Sequence, residues 1–193
     1  MREAIAKKVR ESQDVASSFF HENASGIEAC ARALAQRFQD GGRLFVFGNG
    51  GSACDAAHVA VEFVHPIVEK RKALPATALV MDVAAITAIG NDDDFAGVFE
   101  RQLEVLAEPR DAVLAISTSG ASANVLRAVR RARARGLLTI GFAGRDGGRM
   151  PAECDHLFVV KSWSIHRVQE THTILLHVLW DLTHVALGEP DVL

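Results

Sequence analysis

The sequence predicts an α/β fold, a parallel sheet flanked by helices, and three observations predict it. Short apolar runs of strand length recur along the chain, helical segments separate most of them, and two of the runs open directly into loops rich in glycine or hydroxyl side chains. The first forty residues lack proline and place Ile5, Val9, Val15, Phe19 and Phe20, then Ile27, Ala31, Leu34 and Phe38, at helical spacing. Two helices are expected there, with a break between Asn23 and Gly26. Gly41 and Gly42 end the second helix, and Arg43 to Phe47 reads as the first strand. Ala76 to Val80, Ala112 to Ile116, Leu138 to Phe142 and His156 to Val160 follow as further strands. From Ile165 to Leu187 the apolar positions Val168, Ile174, Leu175, Val178, Leu179 and Leu182 describe a long C-terminal helix, stopped by Gly188 and Pro190.

With 193 residues, 49% of them hydrophobic, the chain can bury one substantial core and is short for two, so a single domain over 1–193 is expected. No run of eighteen apolar residues occurs, and the N-terminus MREAIAKKVRESQ is charged where a signal peptide has an apolar centre. A cytoplasmic protein, without a membrane partner, is the expectation. Cys30, Cys54 and Cys154 are odd in number, widely spaced and form no CxxC, so neither a disulfide framework nor a thiolate zinc site is suggested, and they read as small buried residues. A net charge of −3 argues against general nucleic-acid affinity. Arg127, Arg130, Arg131, Arg133 and Arg135 make one basic helix, which reads as a solvated face.

Two loops suit an anion. After RLFVF comes Gly48-Asn49-Gly50-Gly51-Ser52, with a helix expected from about Ala53 to Asp55; glycines permit a tight turn, and the free N–H groups of a helix start favour negative charge. After AVLAI comes Ser117-Thr118-Ser119-Gly120-Ala121-Ser122-Ala123-Asn124, also followed by a helix. Helix capping accounts for one of its four hydroxyls, and the rest can donate to a phosphate monoester. In an open parallel sheet both loops leave carboxyl ends of strands, where ligands bind. Neither loop has the Walker or GxGxxG pattern, which disfavours a nucleotide.

Four polar side chains on two helices form a second constellation. His58 and Glu62 are four apart, on one helical face. Gln169 and His177 are eight apart, about 80° of rotation, again on roughly one side. Such N and O donors could hold a divalent metal, zinc first, and equally could be hydrogen-bonded surface pairs. His172 and His184 on the same helix read as surface or capping residues.

Together GNGGSACDAAHVAVEF, AITAIGNDDDF, AISTSGASANVLRA and RVQETHTILLHVLWDL resemble the phosphoheptose isomerase family, in order and spacing, across almost the whole chain. The resemblance implies an SIS-type parallel sheet in a flavodoxin-like three-layer sandwich, with N-terminal helices over 1–40 packing on the oligomer and a long C-terminal helix. It implies a homotetramer with active sites between subunits and a sugar phosphate as substrate. Ser52, Ser117, Ser119 and Ser122 match the family's phosphate-binding serines, and Asn49, Gly50, Gly51, Asp92, Thr118, Glu62 and Gln169 match positions lining its substrate pocket. Glu62 and His177 match its catalytic pair. His58, Glu62, Gln169 and His177 match the zinc ligands of some members, one ion per subunit, and no organic cofactor is implied.

The implied activity is the conversion of sedoheptulose 7-phosphate to D-glycero-D-manno-heptose 7-phosphate. An aldose–ketose shift moves a proton between C1 and C2 through an enediol, for which a carboxylate base and an imidazole acid suffice. The chain departs from the family pattern at Val64-His65-Pro66-Ile67 and at His166. Two other readings share the fold: a non-catalytic SIS protein that binds a replication initiator, and an isomerase or sensor of another phosphosugar. The first lacks the later histidine, so His177 favours the enzyme.

Overall fold

The computed structural model describes residues 1–67 and 71–191. Five parallel strands, β1 (Leu44–Gly48), β2 (Ala76–Ala78), β3 (Ala112–Ser117), β4 (Leu138–Gly144) and β5 (His156–Val160), lie in the order β2-β1-β3-β4-β5. Six helices flank them: α1 (Arg2–Gln39), α2 (Gly51–Val64), α3 (Val83–Asp92), α4 (Val98–Leu106), α5 (Ala123–Ala134) and α6 (Ile165–Ala186). The expected strands and long last helix are present; the second strand stops at Ala78 rather than Val80.

Strand alternation divides the core in two. Leu44, Val46, Leu114, Ile116, Ile140 and Phe142 point to the face covered by α1, α2 and α6. Phe45, Phe47, Val113 and Ala115 point the other way, to α4 and α5. Burial on both faces is what makes β1 and β3 read as continuous apolar runs.

The expected break near Asn23 to Gly26 does not occur: α1 is one helix of 38 residues. Asn23 turns its amide back to donate to the Phe19 carbonyl at 2.8 Å, and Gly26 faces the Phe158 ring, where a Cβ would stand 3.6 Å away. A helical glycine costs about 1 kcal/mol, less than the gain from burying Phe19, Ile27, Cys30 and Leu34 along one stripe. The arginines of α5 are also not simply solvated. Arg127 donates to Glu100 and Arg130 to Glu153, Arg131 pairs with Glu104, and Arg133 and Arg135 reach the carbonyls of Ala152, Leu103 and Ala107. Only Cys30 of the three cysteines is fully buried; Cys54 is exposed at the start of α2 and Cys154 is half-buried.

His172 and His184 correct a further expectation, since both are fully buried rather than at the surface. α6 packs across the sheet, and its inward stripe includes both rings. His172 Nε2 faces the Ala143 carbonyl at 3.1 Å on β4, while its Nδ1 has no partner among the described residues. Burial pushes its pKa down to about 4.

A depressed folded-state pKa gives stability that is present above the ordinary histidine value near 6.5 and lost as pH falls through the folded value of about 4. The interval corresponds to about 3 kcal/mol. Urea unfolding at stepped pH should show wild type losing this increment relative to H172Q between pH 7 and pH 4, although H172Q is the less stable of the two at pH 7. Parallel curves for the two proteins would contradict it.

Candidate active site

The two loops meet because β1 and β3 are hydrogen-bonded neighbours, with Gly48 opposite Ile116 in register. From β1 the chain turns to α2 and edge strand β2; from β3 it turns to α5 on the other face and to β4 on the other side. Adjacent strands whose connections leave in opposite directions open a crevice at their carboxyl ends. Gly48 has no room for a side chain there, since a Cβ would lie 2.8 Å from the Ile116 and Ser52 carbonyls.

Asn49 and Asn124 lock the loops together. Each amide donates to the other's carbonyl oxygen at 2.8 Å, and Asn124 Oδ1 also accepts from the Val125 N–H at 3.0 Å. Gly50 turns the chain with φ +57° and α2 begins at Gly51, earlier than the expected Ala53, so Ser52 lies in the first turn and is buried. Ser117 and Ser122 hydroxyls are 3.1 Å apart across the second loop. Ser122 occupies the N-cap position of α5 without making a capping hydrogen bond from its side chain. The expectation that capping uses one hydroxyl therefore fails for α5, because the Ser117 hydroxyl holds that of Ser122. The Ser119 hydroxyl accepts weakly from the Ala121 N–H at 3.3 Å, and Thr118 and Ser119 are half-buried.

α2 and α6 lie side by side on one face of the sheet, bringing three of the four constellation residues together. His58 Nε2 is 3.2 Å from Glu62 Oε1 and 3.3 Å from His177 Nε2, with the two imidazoles edge-on at 79°. The nitrogens of His58 and His177 and a Glu62 oxygen lie within 4.8 Å of one another. This N, O, N donor set without thiolate fits a divalent ion with imidazole and carboxylate preference. Gln169 sits elsewhere on α6: its amide rests on Gly51, where a Cβ would come within 2.0 Å of Nε2. It therefore touches the first loop, about 12 Å of helix rise from His177.

A model of the SIS domain matches residues 9–144. The phosphoheptose isomerase of Thermodesulfovibrio yellowstonii is 42% identical over 189 residues, spanning 98% of this chain and 94% of that protein. The structure of phosphoheptose isomerase GmhA from Neisseria gonorrhoeae superposes with a TM-score of 0.88 at 36% identity, covering 94% of this chain and 97% of that one. A phosphoheptose isomerase from Francisella tularensis gives 0.90 at 31% identity, covering 95% and 97%. The chain is an SIS-domain enzyme of the phosphoheptose isomerase family.

Of the residues singled out in the sequence, Asn49, Gly50, Gly51 and Ser52 stand with Ser117, Thr118, Ser119 and Ser122 at the crevice, and His58, Glu62 and His177 form the polar cluster. Asp92 stands apart. It is exposed at the end of α3, accepts from the Asn91 amide at 2.7 Å, and lines a cavity with Asp93, Asp94, Gly97, Arg101 and Arg127. Sequence reasoning missed Asn124 as the tie between loops, because its partner is 75 residues away. It also missed Asp55, one turn before His58, whose Oδ2 is buried without a partner among the described residues. Burial raises its carboxyl to about 6, against the opposing pull of His58.

Gly120 carries the turn of the serine loop at φ +61°, and a Cβ there would lie 2.0 Å from the Gly147 carbonyl oxygen. G120A should lower stability by about 1–3 kcal/mol from backbone strain alone, with the clash adding to it. Denaturant unfolding checks this; a change under half a kcal/mol would mean the loop can move away from Gly147.

Proposed function

We propose that this chain interconverts sedoheptulose 7-phosphate and D-glycero-D-manno-heptose 7-phosphate through an enediol, with Glu62 as base and His177 as acid. The observation that carries the reading is the carboxylate–imidazole cluster on the same pair of helices that bears the serine crevice at its other end. Serine hydroxyls and the positive end of the α2 dipole suit a phosphate dianion. Glu62 lies eleven residues beyond Gly51, about 16 Å along the helix, less the lean of its side chain toward the N-terminus. That separation favours a long sugar phosphorylated at the end remote from its carbonyl.

Glu62 is 16% exposed, enough to meet a substrate carbon and sheltered enough to keep its orientation. In this reading it takes the proton from one of C1 and C2 and returns it to the other. His177 donates to the oxygen that becomes a hydroxyl and recovers a proton as the second carbonyl forms. Ser52, Ser117, Ser119 and Ser122 hold the phosphate, and Asn49, Gly50, Gly51 and Thr118 shape its crevice, with Gln169 lining it at Gly51. His58, Glu62 and His177 would hold one zinc ion, the Gln169 amide lying against Gly51 instead of with them. When bound it would polarise the sugar oxygens at the reacting carbons. A non-catalytic binder has no use for His177 facing His58 and Glu62.

We further read the chain as a homotetramer whose sites lie between subunits, with 1–40 contributing to the interface. The exposed Ile5 and Val9 of α1 and Val83 of α3, a helix that buries none of its residues, support this. Asp92 would then serve a neighbouring copy's crevice.

Proton NMR in deuterium oxide, with sedoheptulose 7-phosphate beside other ketose phosphates, tests the reading. The heptulose should yield aldose with deuterium at C2. E62Q should lose activity about 10²–10⁴-fold while retaining binding of substrate phosphate, and a fully active E62Q would remove Glu62 as base. Chelator-treated protein should lose turnover and regain it with zinc; turnover unaffected by exhaustive chelation would end the zinc assignment.

A further inference from the structure

Glu62 lies in the last turn of α2, where an intact helix would pair its carbonyl with the N–H four residues on. That residue is Pro66, which has no N–H. The preceding bond of the ladder is intact, His65 N–H donating to Val61 O at 2.8 Å, and the following carbonyl, that of Phe63, accepts from Leu74 N–H at 2.8 Å. Between them the Glu62 carbonyl accepts from the Trp180 indole Nε1–H at 2.9 Å.

The indole is itself held. Trp180 is 4% exposed, and the Arg71 guanidinium lies over its ring at 4.7 Å from the centroid. Arg71 is fixed by an ion pair with Asp181, the neighbour of Trp180 on α6. The buried His184 ring stands edge-on to the indole at 5.0 Å, and its Nδ1 meets Glu189 Oε2 at 3.1 Å. Glu189 Oε1 also accepts from the Lys72 N–H at 3.2 Å, so the segment after α6 and the segment before β2 close on the same ring. The indole cannot turn away without disrupting these contacts.

We propose that Trp180 is a positioning residue: its indole N–H replaces the donor missing at Pro66 and so fixes the helix turn that aims Glu62 at His58 and His177. This rests on Glu62 being the base. A shift of the last turn by a fraction of an ångström moves the carboxylate relative to the reacting carbon while leaving the serine crevice, at the opposite end of α2, unchanged. The effect therefore falls on kcat rather than KM.

The test uses compensation. W180F keeps an aromatic ring and removes the donor; it should lower kcat about tenfold with KM within about twofold. P66A puts a main-chain N–H at position 66, lets His65 leave its extended φ −135°, ψ 73° for a helical conformation that proline disfavours, and should by itself leave kcat within about twofold; in W180F/P66A that N–H can then bond the Glu62 carbonyl and should restore most of the lost kcat. A W180F protein with wild-type kcat overturns the proposal, as does a loss that P66A does not relieve. A second measurement applies even where W180F does not fold. The only other tryptophan, Trp163, is 74% exposed, so the protected indole signal is that of Trp180. In P66A the new N–H competes for the carbonyl, and the Trp180 indole proton should exchange with solvent at least about tenfold faster than in wild type; an unchanged rate overturns the proposal. Failure of the Glu62 assignment is separate, because it appears as an active E62Q and leaves the exchange result untouched.

Discussion

The pairing of β1 with β3 is the contact on which the rest of the site depends. Because Gly48 stands opposite Ile116, the two loops begin one residue apart on neighbouring strands, and the Asn49–Asn124 amide pair can close between them. A slip of the register by one residue would turn every side chain of a strand to the wrong face and separate the loops. Burial enforces the register: Phe45 and Phe47 belong to one core, Leu44 and Val46 to the other, and none is more than 2% exposed. The apolar strands thus specify where a phosphate-type crevice forms, although no apolar side chain would touch the anion.

From that crevice the chain builds outward along one helix pair. α2 starts at the first loop and carries Glu62 in its last turn; α6 runs beside it, placing Gln169 on Gly51 and His177 beside His58. The packing of α6 is governed by its inward stripe, in which His172 and His184 take positions that leucine could fill. Each buried ring carries a polar atom that must be paired, and each uses one nitrogen for this, His172 toward β4 and His184 toward Glu189. His172 thereby ties the helix to β4, and His184 ties its last turn to the segment that follows, with His177 between them.

The end of α2 illustrates a constraint handled by tertiary structure. Pro66 stops the helix and leaves a carbonyl without its usual donor at Glu62, the residue proposed as base. An unpaired buried carbonyl costs about 1–3 kcal/mol, so the long-range donor from Trp180 contributes to stability as well as to geometry. The carbonyl left by Pro66 at the end of α2 is the one whose hydrogen bonding α6 completes.

The sequence by itself determined the alternation of strands and helices, the positions of both loops, the pairing of His58 with Glu62, and the end of the last helix at Gly188. These follow from local rules: apolar period, glycine at turns, and i,i+4 spacing each act within a few residues. It misread what depends on side-chain partners that no local period assigns. Asn23 and Gly26 look like a break until Asn23 bonds back to Phe19 and Phe158 covers Gly26, His172 and His184 look like surface residues until β4 and Glu189 receive them, and Ser122 looks like a cap until Ser117 engages it. Only the tertiary structure decided that Gln169 rests on Gly51, that Asp92 stands apart from the serines, and that His177 meets His58 across two helices. The physical reason is that these contacts join residues whose separation in sequence carries no periodic signal, and their geometry exists only once both faces of the sheet are buried.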